Sequence, residues 1–389
     1  MSNRYYKFQI LLLIIYCITT VTITAQENYL SGVEVSIDQD YFADFLRNQN
    51  NENRNYATSM RIAVFGEIAE NTYFGLPWVR RAVDGFLIDR VLYNRGFREE
   101  RESHSFSFEV NGFSPSLISD EVPGFNTAIA GGYSLESDRP FSSFTGFRST
   151  RRLEGNKLFV HTTQQVDLAF TTSFTAGFAS LGIIQGVENL FGSNRPDPNL
   201  WDRNDDAPYP TGQLVLSPIP MLMYSVSVEA VVWRPIKKVL LQVRPEINLG
   251  YYTNVGIGFD FGKVMNVERH IDNLSYTDNN NPGLVVVNNE SFGISIAAGG
   301  TARFVLYNEH INGLYKWSKG DNYISFGDTK KIVIEGYVGV KLQLFKKVEF
   351  NFSINQRTSE FSNSLRARPM WGTFGFKYLL GEEGEGCYD

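Results

Sequence analysis

Cysteine and histidine are scarce in this chain, with two and four among 389 residues. No C-x-x-C pair, H-E-x-x-H helix, G-x-S-x-G elbow or Walker loop is present, which removes the zinc, redox, serine-hydrolase and nucleotide chemistries that those spacings serve. Basic excess is lacking too. With 36 Lys+Arg against 42 Asp+Glu, net −6, there is no global field to hold a polyanion, and no nucleic-acid partner is expected. An aromatic content of 14% excludes a disordered or collagen-like chain.

Long apolar runs are confined to the start. Arg4 and Lys7 precede the apolar stretch Ile10 to Thr19, and Ala25 stands before Gln26, the layout of an export signal over residues 1–25. The run is short for a spanning helix of about 20 residues, and Cys17 follows bulky Tyr16, which argues against a lipoprotein signal. Losing the leader removes two of the 36 basic residues, Arg4 and Lys7, so 34 face 42 acidic ones, a net −8. Cys387 is then alone, and the exported chain must hold together without a disulfide. Nothing after residue 26 reads as an apolar helix of membrane length. The mature chain is either soluble beyond the inner membrane or crosses a membrane as strands.

Alternation with period two decides between them. Val166, Leu168, Phe170, Phe174 and Phe178 share one face against Asp167, Ala169, Thr171, Ser173 and Thr175. Val255, Ile257, Phe259 and Phe261 oppose Gly256, Gly258, Asp260 and Gly262. The pattern returns in Ile332, Ile334, Val338, Val340 and Leu342, in Val348 to Asn355, and in Thr373 to Leu380. One face is apolar and rich in the 30 Phe and 20 Tyr, while the other carries charges of both signs. Lipid outside and a polar lumen inside produce that division, and in lipid only a closed sheet leaves no edge unpaired. The expected fold is all-β: a transmembrane antiparallel barrel of about twelve strands over a single domain, residues 26–389, with short helices in connections.

The strands are expected near 31–42, 55–68, 103–113, 141–151, 157–178, 221–233, 238–252, 254–262, 291–308, 331–345, 348–358 and 370–380. An even count places both termini on the periplasmic side of an outer membrane. Connections at 43–54, 114–140, 179–220 and 309–330 then face outward, and those at 234–237 and 346–347 are tight inner turns. Val79, Val83, Phe86, Leu87 and Val91 fall at helical spacing beside Arg80, Arg81 and Arg90. This predicts a periplasmic amphipathic helix packed on the barrel rim. A second helix is expected from Leu181 to Phe191 in an outer loop.

Candidate chemistry is sparse. Of His104, His161, His270 and His310, only His310 falls near the outer mouth. Asp38 and Asp40 project the same way from strand one, about 7 Å apart along it. Such a pair suits a hard cation such as Ca²⁺, or else compensation by lumen arginines such as Arg61 or Arg244.

Several segments, in order, resemble the outer-membrane lipid A 3′-O-deacylase family: Asp38-Gln39-Asp40, Asn53 to Tyr56, Gly112 to Pro115, Asp138 to Phe141, Tyr307-Asn308, Thr358 to Phe361 and Trp371-Gly372. The resemblance implies a twelve-stranded barrel in the outer membrane, lipopolysaccharide as partner, and Ca²⁺-assisted hydrolysis of an acyl ester of lipid A by a membrane-embedded monomer. Its site positions fall on Gln39, Asp40, Ala57, Gln185 and Asn189. Ala57 stands in place of a threonine and Asn189 in place of the water-activating histidine, so Glu188 and His310 are the alternative bases. A missing general base typically costs 10²–10⁴ in rate, which makes a catalytically silent barrel the competing expectation.

Overall fold

Twelve strands pair in sequence order and close on themselves in the computed structural model, which describes residues 32–39, 58–70, 75–90, 92, 97–113, 142–158, 165–179, 219–236, 239–265, 292–312, 326–345, 347–362 and 369–380. The leader expected over 1–25 and the helix expected from Leu181 to Phe191 lie outside these residues. The strands are β1 (Gly32–Gln39), β2 (Thr58–Phe65), β3 (Phe97–Phe113), β4 (Ser142–Leu158), β5 (Gln165–Ala179), β6 (Ile219–Ile236), β7 (Val239–Gly250), β8 (Tyr252–Met265), β9 (Phe292–Asn308), β10 (Ile332–Leu344), β11 (Val348–Arg357) and β12 (Met370–Leu379). All neighbours are antiparallel. Closure comes from β1, where Val35 stands opposite Ile62 of β2 on one side and Phe376 of β12 on the other. The end bearing Gly32 and Leu379 is called the near end, and that bearing Gln39 and Gly372 the far end.

The alternation read from the sequence is the inside–outside division of this wall. On β8, Val255, Ile257, Phe259 and Phe261 are exposed while Asn254, Gly256, Gly258 and Asp260 are buried in the lumen. On β10, Ile332, Ile334, Val338 and Val340 are exposed and Val333, Glu335 and Tyr337 are buried. Outward aromatics pack across strands, Phe108 on Phe147 and Phe350 on Phe374 and Phe376, the cross-strand pairs that stabilise a sheet surface. A closed sheet that is apolar outside and charged inside is inverted for water and suited to hydrocarbon. The barrel is a transmembrane one.

Strand limits agree with expectation to within a few residues except around the β3–β4–β5 meander. There β3 begins at Phe97 instead of 103, β4 runs to Leu158 instead of 151, and β5 begins at Gln165 instead of 157. The extra length of β3 and β4 carries Arg101, Glu102, Arg152 and Glu154, whose charges blur the period-two signal. Part of the outer face here meets protein, so it need not be apolar.

That protein is the segment after β2: α1 (Glu67–Glu70), α2 (Leu76–Asp84) and a wider π turn, Gly85–Asp89, that continues α2. It packs on β3, β4 and β5, on the barrel as expected, but with another face. Pro77, Arg80 and Asp84 are buried, whereas Phe86 and Leu87 are exposed. The π turn accommodates an extra residue and shifts the phase of the residues after it, so Phe86 and Leu87 leave the line that Val79 and Val83 begin.

At the far end β7 and β8 meet in a tight turn. Gly250 has φ +138, a conformation that L side chains rarely adopt. A Cβ there would collide with the Leu222 carbonyl and lie 2.7 Å from the Met223 Cα. The Gly250 amide donates to Thr253 Oγ1 (3.1 Å), that hydroxyl donates to the Gly250 carbonyl (2.9 Å), and the Tyr251 amide donates to the Leu222 carbonyl (3.0 Å). Gly250→Ala is expected to cost about 1–3 kcal/mol, read as a lower denaturant midpoint for the barrel refolded in lipid.

Candidate functional site

The lumen is filled by paired charges. Arg61 bridges Glu34 (3.1 Å) and Glu109 (3.4 Å), and Arg148 reaches Glu109 (3.1 Å) and Thr175 (3.0 Å). Arg152 joins Glu154 (2.7 Å) and Glu229 (2.9 Å), and Gln242 donates to the same Glu229 (2.8 Å). Across the barrel Arg303 binds Glu246 (2.6 Å) and Glu335 (3.2 Å), while Arg244 lies 3.5 Å from Glu246 and 3.6 Å from Asp260. Tyr337 donates to Asp260 (3.0 Å), and Lys341 pairs with Glu349 (2.6 Å). Gly256 and Gly258 make room for this packing: a Cβ on Gly256 would meet Glu246 at 2.9 Å, and one on Gly258 would meet Arg244 at 3.0 Å. That is the role their GxG spacing plays.

Above these belts an aromatic plug sits inside the far end. Gly146 and Gly177 face each other on β4 and β5, and a Cβ on Gly177 would sit 2.7 Å from the Phe144 ring. The bare backbone lets Phe144 fold down over it. Tyr251, sent inward by the Gly250 turn, stacks on Phe144 (centroids 5.3 Å apart, planes at 26°), with Arg148 hydrogen-bonded to its phenol. His310 meets Tyr251 edge-on at 5.6 Å.

His310 belongs to α3 (Glu309–Asn312), a single turn that leaves β9 and reaches β4 on the other side of the barrel. Asn308 holds it in place. Its Oδ1 accepts the His310 amide (3.1 Å), its Nδ2 donates to Glu360 (3.2 Å), and its own amide donates to Asn312 Oδ1 (3.2 Å). Asn312 donates in turn to Thr329 (2.9 Å). Ile311 packs on Phe361, and the Arg357 guanidinium lies over the buried Trp371 ring at 5.5 Å. Burial raises the pKa of the Glu309 carboxyl above its ordinary value, with the Tyr307 hydroxyl donating to it and opposing the shift.

The site residues expected from the sequence separate into three groups. Asp38 lies at the far end of β1 between Ser59 of β2 and Thr373 of β12, and Ser59 donates to it at 2.8 Å. Gln39 closes β1 opposite Gly372. His310 is at the far end, as expected, and is buried there against Tyr251. Asp40, Ala57, Gln185, Glu188 and Asn189 lie outside the described residues. Arg61 and Arg244 are lumen cations as expected, spent on Glu34, Glu109, Glu246 and Asp260. Among the described residues no group of three His, Cys, Asp or Glu is arranged to hold a metal. The described half of the Ca²⁺ pair is one carboxylate already accepting a hydroxyl.

Sequence reasoning missed Phe144 and Tyr251. The signal was present in the Gly250-Tyr251-Tyr252 run, since a glycine between two alternating segments marks a turn and the next aromatic needs a place to go.

The fold defines a closed twelve-stranded membrane barrel whose described lumen side chains are buried and charge-paired. Among solved structures it is similar to LpxR from Salmonella typhimurium, with 15% identity, a TM-score of 0.55, and 90% of this chain and 99% of that one covered. At that identity the likeness shows the fold. Looser likenesses are to outer membrane phospholipase A from Escherichia coli (11% identity, TM-score 0.29, 90% and 92% covered) and to the β domain of the Bordetella autotransporter BrkA (8%, 0.37, 90% and 99%), both too loose to argue from. No family model matches the chain, and no curated protein does.

Proposed function

We propose that this chain is an outer-membrane barrel, near end in the periplasm and far end outside, that binds the lipid A of lipopolysaccharide at its far rim without hydrolysing it rapidly. The observation that carries the reading is the packed lumen: its charged side chains are buried in ion pairs, and Phe144, Tyr251 and His310 pack together at the far end, which favours action from the wall and rim over a conduit. The segments resembling lipid A 3′-O-deacylases, and the barrel shared with LpxR, support lipid A as the ligand. Asn189 stands where the family has its water-activating histidine, and an amide is no general base. His310 packs edge-on against Tyr251, which counts against it as a replacement base. Ca²⁺ at Asp38 and Asp40 rests on the spacing of the pair along strand one and on the resemblance; bound there, it would supply positive charge against a lipid phosphate or ester oxygen.

The test uses lipid A from cells with and without the chain, together with the purified protein titrated with lipid A or phosphatidylethanolamine. Expected are an unchanged lipid A mass spectrum with Ca²⁺ supplied, a thermal stabilisation specific to lipid A, and its weakening by a chelator. Loss of an acyl-chain mass would make the chain an esterase. Equal stabilisation by both lipids, or channel conductance in a bilayer, would overturn the binding reading.

A further inference from the structure

The helical segment 76–90 is amphipathic in the opposite sense from an ordinary surface helix. A helix packed on a protein normally buries its apolar stripe and wets its charges. Here the charges are inside. Asp84 accepts the Tyr224 hydroxyl (2.7 Å) and the Thr172 hydroxyl (2.9 Å), with Arg151 3.7 Å away. Arg80 lies 3.2 Å from His104 Nδ1, and His104 Nε2 lies 3.3 Å from Glu70 and 3.2 Å from Glu102. Arg151 also binds Asp89 (2.9 Å) and Glu102 (2.6 Å).

Strand parity fixes which side of the wall this is. Ser105, Ser107 and Glu109 on β3, Arg148, Thr150 and Arg152 on β4, Thr171 and Ser173 on β5, and Ser225 and Ser227 on β6 line the lumen. His104, Arg151, Thr172 and Tyr224 therefore stand on the outer face, where the rest of the barrel shows apolar side chains. The helix covers this polar stretch and turns its own apolar residues outward. Trp78 is 70% exposed and Phe86 71%, with Leu87 beside them and Arg81 and Arg90 on the flanks. Arg81 also reaches Glu70 at 3.3 Å. The segment lies level with the near rim, since the Gly66 amide, just past β2, donates to the His104 carbonyl.

We infer that segment 76–90 is a membrane-interfacial element: it seals the polar part of the wall and inserts Trp78, Phe86 and Leu87 into the phospholipid leaflet at the near rim, Arg81 and Arg90 meeting the phosphates. The patch continues the apolar outer wall that hydrocarbon already covers, so the same leaflet meets both. An aromatic pair beside arginines is the composition that holds a helix at the headgroup boundary. The inference rests on the wall being transmembrane and is independent of lipid A.

The experiment compares the full chain with Trp78→Phe, a swap that keeps the apolar face, each refolded into phospholipid vesicles and checked by heat-modifiable migration. The difference in emission isolates Trp78 from the other tryptophans. Phospholipid brominated near the headgroup is expected to quench that emission by about two-fold or more, while aqueous iodide leaves it nearly unchanged. Emission quenched by iodide and not by bromolipid would put the helix in water and overturn the inference. Emission that neither reaches would mean that protein covers the patch, and would overturn it equally. Phe86→Ser with Leu87→Ser supplies a second reading, expected to lower bromolipid quenching with the barrel still folded.

Discussion

Arg303→Met is expected to destabilise the barrel by about 3–5 kcal/mol, the range found when one partner of a buried ion pair is removed. The guanidinium serves two carboxylates, Glu246 at 2.6 Å and Glu335 at 3.2 Å, and both are buried in the lumen. Methionine fills much of the volume, so packing contributes little to the loss. The cost comes from two anions left facing each other without their shared cation. Arg244 lies 3.5 Å from Glu246 but also serves Asp260, so it compensates only in part. Equilibrium unfolding by urea in lipid vesicles measures the change. The triple change that adds Glu246→Gln and Glu335→Gln separates charge from shape: it is expected to recover most of the loss, because neutral amides do not need the cation. A triple variant as unstable as the single one would show that Arg303 acts through packing.

The wall was legible where a strand keeps one neighbour along its whole length, hydrocarbon. Ile332, Ile334, Val338 and Val340 meet the same solvent and are exposed to the same side, so their spacing alone gives strand, face and register. Legibility failed where the neighbour changed. Arg151 and His104 face outward into a helix, and a reading that assumes lipid outside does not carry the strands far past them. It shortens β3 and β4 instead. The same failure reversed α2, since an apolar helical stripe ordinarily seeks the barrel, whereas the barrel at that height offers Thr172 and Tyr224 hydroxyls. Arg80 and Asp84, four apart and therefore on one helix face, held the missing signal. At the far rim Asp38 and its Ser59 partner follow from strand pairing. The plug does not, because Phe144, Tyr251 and His310 come from three distant stretches of chain and no local period relates them.

Asp84→Ala is expected to release the helical segment while leaving the barrel closed. Asp84 is fully buried and is the acceptor for Tyr224, Thr172 and, at longer range, Arg151. Its charge also opposes the burial that holds the Arg80 pKa down to about 10. Arg80 is already poorly satisfied, with Nε and Nη1 buried and lacking hydrogen-bond partners. Taking Asp84 away leaves the buried Arg80 and the partly buried Arg151 with less counter-charge and two hydroxyls without their acceptor, a loss of about 3–5 kcal/mol by the same reasoning as for a broken buried pair. The apolar contacts left to hold the segment are those of Leu92 and the partly buried Ile88 with Leu153, Leu168 and Phe170, set against the entropy of ordering it. Trypsin is therefore expected to cut at Arg80, Arg81 or Arg90 in the variant while the strands stay protected. The sign of the pH effect comes from Arg80. A cation whose folded pKa is depressed contributes stability only above its unfolded value and loses it as pH falls through the folded one, so the cost is already complete at neutral pH. Cleavage of the variant is expected to be equally fast throughout the neutral range. Resistance equal to the parent would mean that the apolar contacts alone hold the helix to the wall.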